Sequence, residues 1–413
     1  KRKSTRPFVN EDKQRTIIAP LFSDIYSPFI PPLFELAGYK LVNLPKPDKQ
    51  SVEYGLKYSN NEICYPATIV IGDIMKALES GKYNRNEIAV GITQTGGQCR
   101  ASSYLSLIRK AMVAAGYEDI PVVSVSSGSG IINSQPGFKI DWQKILKVAF
   151  VAALYADSLA KMYYSTVVRE KEKGISKQLL EKYIELSHSY ITDKNLSGLY
   201  RLLSLAIEEF NLVGVYEREY PRIGIVGEIY VKYNSYGSLN VIDWLISQGV
   251  EVVVPPLLDF FTQSFVNIDA DKKLNLRRKA VISDMYINFI EKKADSHLRK
   301  TEKINSKFRY YTHFHKIRDI SDKAKDILSL ANQYGEGWLI PAEIAAFAGD
   351  GVLNVVSLQP FGCIANQVIS KGVETKIRDL YPNMNLLFLD FDDGTTEVNV
   401  LNRLHFLIRN MKK

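Results

Sequence analysis

The 413-residue chain is 46% hydrophobic and 24% charged. This ordinary balance excludes a disordered or fibrous protein and suffices for two α/β lobes. A net charge of +8 makes the surface moderately basic, but no block of Arg and Lys interleaved with aromatics marks a nucleic-acid groove, so no nucleic-acid partner is expected. No run approaches the roughly 20 apolar residues of a membrane span; the most apolar stretch, VAFVAALYA at 148–156, is followed by Asp157 and Lys161 and reads as a buried helix.

In chain order, TIIAPLF (16–22), KLVNLP (40–45), IAVGIT (88–93) and PVVSVS (121–126) read as strands, with helical patterns at 29–38, 66–80 and 101–116. Near-continuous apolar strands alternating with helices predict a parallel sheet covered on both faces. Residues 141–211 are helical throughout. The βαβ pattern resumes with RIGIVGE (222–228), a helix over 239–248 and VEVVVP (250–255). A Lys- and Arg-rich helical insertion follows at about 272–334, then VLNVVSLQP (352–360), NLLFLDF (385–391) and a closing helix near 397–409. The expected organisation is therefore a first α/β lobe (1–140), a helical connecting segment (141–221) and a second lobe (222–413) carrying the insertion. Both lobes are Rossmann-like with parallel sheets. The strand at Pro121 follows Cys99 at the same interval as the strand at Asn385 follows Cys363, which suggests an internal duplication.

Three cysteines are an odd count, too sparse for a secreted disulfide framework. There is no signal peptide, and a cytoplasmic location is the expectation. The first residue is Lys1, consistent with a processed or excised part of a longer polypeptide.

The cysteines share a setting. Cys64 stands before Pro66, a residue suited to a first helical turn; Cys99 precedes the helical pattern at 101; Cys363 follows a strand and Pro360–Gly362. All three are expected at strand-to-helix junctions on the ligand-binding edge of a parallel sheet. Free N–H groups and the helix dipole there would lower their thiol pKa values. A lone cysteine is often a small buried hydrophobe, but here every cysteine in the chain has the same placement. Three thiolates form a soft, anionic site suited to zinc or an iron–sulfur cluster. Structural zinc usually takes four ligands at short spacings. The histidines (His188, His297, His313, His315 and His405) fall away from the strand ends, and HFH at 313–315 reads as solvated or packed. A three-thiolate [4Fe–4S] cluster with one open iron fits better.

Taken together, CYPATIVIGDIMKAL, TQTGGQCRASSYLSLIRKA, VGEIYVKYN, GEGW and QPFGCIANQV resemble the 2-hydroxyacyl-CoA dehydratase family of iron–sulfur proteins. The resemblance runs from about residue 16 to 409. It is greatest to the branch found as the C-terminal part of a long protein with activase-type ATPase modules, and the double-cubane cluster proteins belong to the same group. It implies two Rossmann-like lobes around a cluster held by Cys64, Cys99 and Cys363. It also implies an ATPase partner, itself carrying a [4Fe–4S] cluster and possibly fused in the same polypeptide in this branch, that delivers one low-potential electron. Either a radical dehydration of a CoA thioester or reduction of a small molecule at a sulfide-bridged [8Fe–9S] double cubane would follow. A double cubane needs six thiolates, hence two chains meeting at the site or a rearranged cluster, and a homodimer is expected. No CoA-binding motif is legible.

Polar neighbours could tune such a cluster. Arg100, adjacent to Cys99, would offset its charge or form a surface ion pair. Thr93, Gln94 and Thr95 could donate to sulfide or substrate, or simply make a turn. Glu228 and Glu336 are candidate acid/base groups. Gln359 and Asn366 flank Cys363 and could bond the cluster, although Asn366 could equally face water. The alternative to an enzyme is a non-catalytic module that docks an activase or senses redox state.

Overall fold

The computed structural model describes residues 4–60, 62–94, 99–125, 134–276 and 281–411. It contains two four-stranded, all-parallel sheets. The first comprises β1 (Thr16–Ala19), β2 (Lys40–Asn43), β3 (Ile88–Thr93) and β4 (Val122–Val125) in the order β2-β1-β3-β4. The second comprises β5 (Arg222–Gly227), β6 (Glu251–Val253), β7 (Asn354–Pro360) and β8 (Asn385–Phe391) in the order β6-β5-β7-β8. The two orders are the same. In each, the chain steps one way from the founding strand and then returns to its other side, so a crevice opens between β1 and β3 and between β5 and β7 at the C-terminal strand ends.

The strands are shorter than their apolar runs for a local reason. β1 stops at Ala19 because Pro20 has no N–H to give a ladder, and β6 stops before Pro255 and Pro256. Every residue of β7 is buried, as a strand covered by helices on both faces should be. Ser126, at the end of one expected strand, lies outside the described residues.

Two helices had no counterpart in the sequence reading. Lys49–Tyr58 is capped by Asp48, whose carboxylate accepts from Ser51 N, and packs closely on Tyr65–Glu79. A Cβ at Gly72 would collide with the Ser51 carbonyl, so glycine sets that approach. Leu339–Gly349 is almost wholly buried, so it shows no amphipathic period to read. The helical insertion also begins earlier than expected, with Leu257–Lys273.

Between the sheets, Trp142–Val167, Ile175–Thr192 and Leu196–Leu212 pack on one another. The first is 26 residues long, about 39 Å at 1.5 Å per residue. Its buried stripe (Ile145, Val148, Ala152, Tyr155, Leu159, Met162) recurs every three or four residues. These side chains join a core that also includes Ile18 and Val90 of the first sheet and Ile223 and Val356 of the second. Asp157, in the middle of this spine, accepts from Tyr26 Oη (2.7 Å), Leu257 N (2.8 Å) and Leu258 N (3.2 Å), tying the first lobe to the start of a second-lobe helix. No helix among the described residues is long and apolar enough to cross a membrane.

Candidate functional site

The three cysteines come from three separate chain segments to the C-terminal edges of the two sheets. Cys64 is the N-cap of Tyr65–Glu79, with proline in the first turn. Cys99 caps the short 3₁₀ turn Arg100–Ser103 after β3, and Cys363 follows β7 directly. The junction expectation needs one correction. Because Lys49–Tyr58 is a helix, Cys64 lies in a helix-to-helix turn, and it reaches the same edge because the second helix runs back along the sheet.

Backbone contacts lock the two lobes together here. Tyr65 N donates to Phe361 O at 3.1 Å. Gly362 has φ +73, and a Cβ there would lie 3.1 Å from Cys64 Cα, so both the turn and the close approach require glycine. The Tyr334–Gly337 loop closes the third side: a Cβ on Gly335 would lie 3.8 Å from Cys99 Sγ and 3.8 Å from Ala365 Cβ.

Each sulfur has a distinct environment. Cys64 Sγ lies 3.1 Å from Tyr104 Oη, and Asn366 Nδ2 donates to Cys363 Sγ at 3.3 Å. Glu336 Oε1 accepts from Ile229 N (2.7 Å), and Glu228 Oε2 accepts from Val231 N (2.9 Å), so both carboxylates are pinned at the helix that follows β5. Burial raises all three thiols: Cys64, Cys99 to about 12 with the Glu336 carboxylate adding, and Cys363 well above its ordinary value with Glu228 and Glu336 adding. This reverses the expected lowering. The helix-end N–H groups are outweighed by desolvation and by the two neighbouring carboxylates, although Cys99 and Cys363 keep part of their surface exposed. Those carboxylates are themselves pushed upward, first by burial and, for Glu228, by its neighbour Glu336.

Arg100, expected to offset a cluster's charge or form a surface ion pair, acts on the sulfur of Cys64. It is exposed and donates to the Glu62 carbonyl at 3.2 Å. Asn366 is fully buried and does not face water. Gln359 is fully buried too, and neither of its amide atoms has a hydrogen-bond partner among the described residues; the same holds for Gln94 Oε1 and Asn366 Oδ1. Gln94 is nevertheless held in place, its Nε2 donating to Ser102 O at 3.1 Å. Thr93 is exposed, and Thr95 lies outside the described residues. Sequence reasoning missed Tyr104, whose signal was its place as the first residue of the helix after Cys99.

The donor set can be tested against what it could hold. A single tetrahedral zinc bound by thiolates at 2.3 Å sets its sulfurs about 3.8 Å apart. Among the described residues, no three of Cys64, Cys99, Cys363, Glu228 and Glu336 bring ligand atoms within 4.8 Å of one another. One shared ion therefore does not fit. The three thiols nevertheless share one neighbourhood: the Glu228 carboxylate raises each of them, and Cys64 also raises Cys99. No protein-family model matches the chain, and no curated protein matches it.

Proposed function

We propose that this chain is the iron–sulfur component of an ATP-dependent reductase system. It receives low-potential electrons from an activase-type ATPase, separate or fused, that carries its own [4Fe–4S] cluster. It spends them at a cluster held by Cys64, Cys99 and Cys363, either reducing a small molecule or driving radical 2-hydroxyacyl-CoA dehydration. The reading starts from the resemblance in QTGGQCRASSY and QPFGCIANQV. One observation carries it: the chain's whole cysteine complement comes from distant segments to the neighbourhood of the Glu228 carboxylate, with the buried Asn366 amide donating to Cys363 and its Oδ1 left without a partner among the described residues. An unpartnered buried amide costs about 1–3 kcal/mol, a cost that a bound ligand would offset.

When bound, the group supplies electrons at low potential and a metal position that no protein thiolate fills. The chain's own residues do the rest. Each thiol gives up its proton on ligation, and the Asn366 amide donates to the Cys363 sulfur, stabilising its charge. Glu228 and Glu336, held by backbone N–H groups and raised in pKa, would hold protons near the thiols and supply them to a reduced substrate. The Gln359 amide is free to donate to a sulfide or a bound ligand. With three thiolates per chain, an [8Fe–9S] group would need a homodimer with two chains at the site, whereas a [4Fe–4S] group needs one.

The test is anaerobic reconstitution with ferrous iron and sulfide, followed by iron and sulfide analysis and EPR of the reduced protein. About four iron atoms per chain or more, with a cluster signal, is expected. A folded, colourless, iron-free protein would overturn the proposal. Acetylene, azide, hydrazine and 2-hydroxyacyl-CoA thioesters, tested with the activase and a strong reductant, then separate the two chemistries.

A further inference from the structure

A second cluster of ligand-type side chains lies at the other edge of the second sheet. His313, His315 and Asp350 are the only group of three or more His, Cys, Asp or Glu among the described residues whose ligand atoms all lie within 4.8 Å of one another. The histidines of HFH are solvated and packed as expected, His313 exposed and His315 half-buried, and the fold also brings them to Asp350. Phe314 is buried, with Lys161 Nζ 4.1 Å from its ring centre, while the flanking histidines turn the other way and meet. Lys161 Nζ also donates to Thr312 O (3.3 Å) and His313 O (2.9 Å), pinning the loop to the spine helix Trp142–Val167.

The contacts within the cluster are directional. His313 Nε2 lies 3.2 Å from His315 Nδ1, and His315 Nε2 lies 2.8 Å from Asp350 Oδ2. Asp350 ends the helix Leu339–Gly349, and among the described residues His315 is its one partner within ion-pair distance. A tetrahedral ion with metal–nitrogen bonds of 2.0–2.1 Å sets its ligand atoms about 3.3 Å apart. With His315 ligating through Nδ1, the histidine pair already has that separation, and the remaining contraction, from no more than 4.8 Å, falls on the Asp350 carboxylate, which exchanges its contact with His315 Nε2 for the ion. The cluster opens on a cavity of about 370 Å³, also lined by Lys161, Glu251, Asp259 and Glu343, so a further coordination position would face space that water can enter.

We propose that His313, His315 and Asp350 bind a divalent transition metal of the zinc class, leaving one position open to this cavity. Imidazole and carboxylate donors select such borderline ions over the thiophilic chemistry of the cysteine pocket. The two places are distinct: Asp350 precedes β7, Cys363 follows it, and seven residues of strand at about 3.3 Å each separate them by roughly 20 Å.

The test is equilibrium dialysis of the full chain against Zn²⁺, with metal analysis, comparing wild type with His313→Ala, His315→Ala and Asp350→Asn. The thiols are common to all four proteins, so differences isolate the histidine site. The expected result is loss of one zinc equivalent in His315→Ala and at least tenfold weaker binding at that equivalent in Asp350→Asn. His313 is exposed, so His313→Ala keeps the fold and the comparison stands even if His315→Ala does not fold. Equal stoichiometry and affinity in wild type and His313→Ala would overturn the proposal.

Discussion

The Asp157 junction and the cysteine pocket are both buried, polar and placed between the two sheets, yet they are built on opposite terms. At the junction the carboxylate is likewise raised by burial, to about 6, but it is fully used. Tyr26, Leu257 and Leu258 each donate to it, and the positive end of the helix Leu257–Lys273 faces it. In the pocket, thiols and carboxylates are crowded together, all raised in pKa, and Gln359 is left with neither amide atom paired among the described residues. Buried polar groups that are all paired stabilise a fold, whereas an unpaired buried amide costs free energy that the surrounding packing must outweigh.

The sharpest way to break this comparison is at the sulfurs. Cys363→Ala should remove all or nearly all reconstituted iron while leaving the thermal midpoint close to wild type, as read by iron analysis and circular dichroism. If iron is retained in full, the pocket is not a ligand set. At the junction the pattern inverts. Asp157→Ala strands a buried tyrosine hydroxyl and two helix N–H groups and should cost about 3 kcal/mol of stability in denaturant titration, with the cysteine chemistry lost only through unfolding. A smaller effect is expected for Gln359→Leu. Replacing an unpartnered amide by an apolar side chain of similar size should leave stability unchanged or raised by up to about 1 kcal/mol, yet lower turnover or shift the cluster's EPR signal. A loss of stability instead would show that the amide is structurally satisfied.

A further test concerns Asp12, in the short turn Asn10–Gln14 before β1. Burial alone would raise its pKa, but hydrogen bonds from Arg6, Val9 N and Arg15 outweigh this and hold it at about 2. A lowered folded-state pKa gives stability that is present above the unfolded value of 3.8 and fades as pH falls through the folded one. Asp12→Asn should therefore destabilise the chain by about 1 kcal/mol at pH 7, after allowing for solvent screening of the arginines. The difference from wild type should shrink steadily in melts taken between pH 4 and pH 2.

Much of the architecture was legible in the chain itself. Continuous apolar runs read as parallel strands because such strands need no polar face, but the run at 16–22 was carried past Pro20, where the missing N–H ends β1 at Ala19. The buried helix Leu339–Gly349 was not legible, since a helix enclosed on all sides has no period. Lys49–Tyr58 was missed for another reason, being short and mostly polar. Of the candidate site, Cys64, Cys99, Cys363, Glu228, Glu336 and Asn366 were all legible as residues of interest. Their electrostatics were not. Reasoning from helix ends gave lowered thiols, whereas the fold desolvates them and places two carboxylates beside them.

The sequence by itself determined the strand and helix grammar, the four-strand repeat and the three positions at which sulfur could be offered. These depend on neighbours in the chain: proline, glycine and the spacing of apolar side chains. Tertiary structure alone decided which distant groups meet. Arg100 turns outward to Glu62, Tyr104 reaches Cys64, and His313, His315 and Asp350 gather at the far edge. The reason is physical: a pKa, an unpaired amide or a ligand set belongs to a volume of space, and the contents of that volume are fixed only when the lobes close on one another.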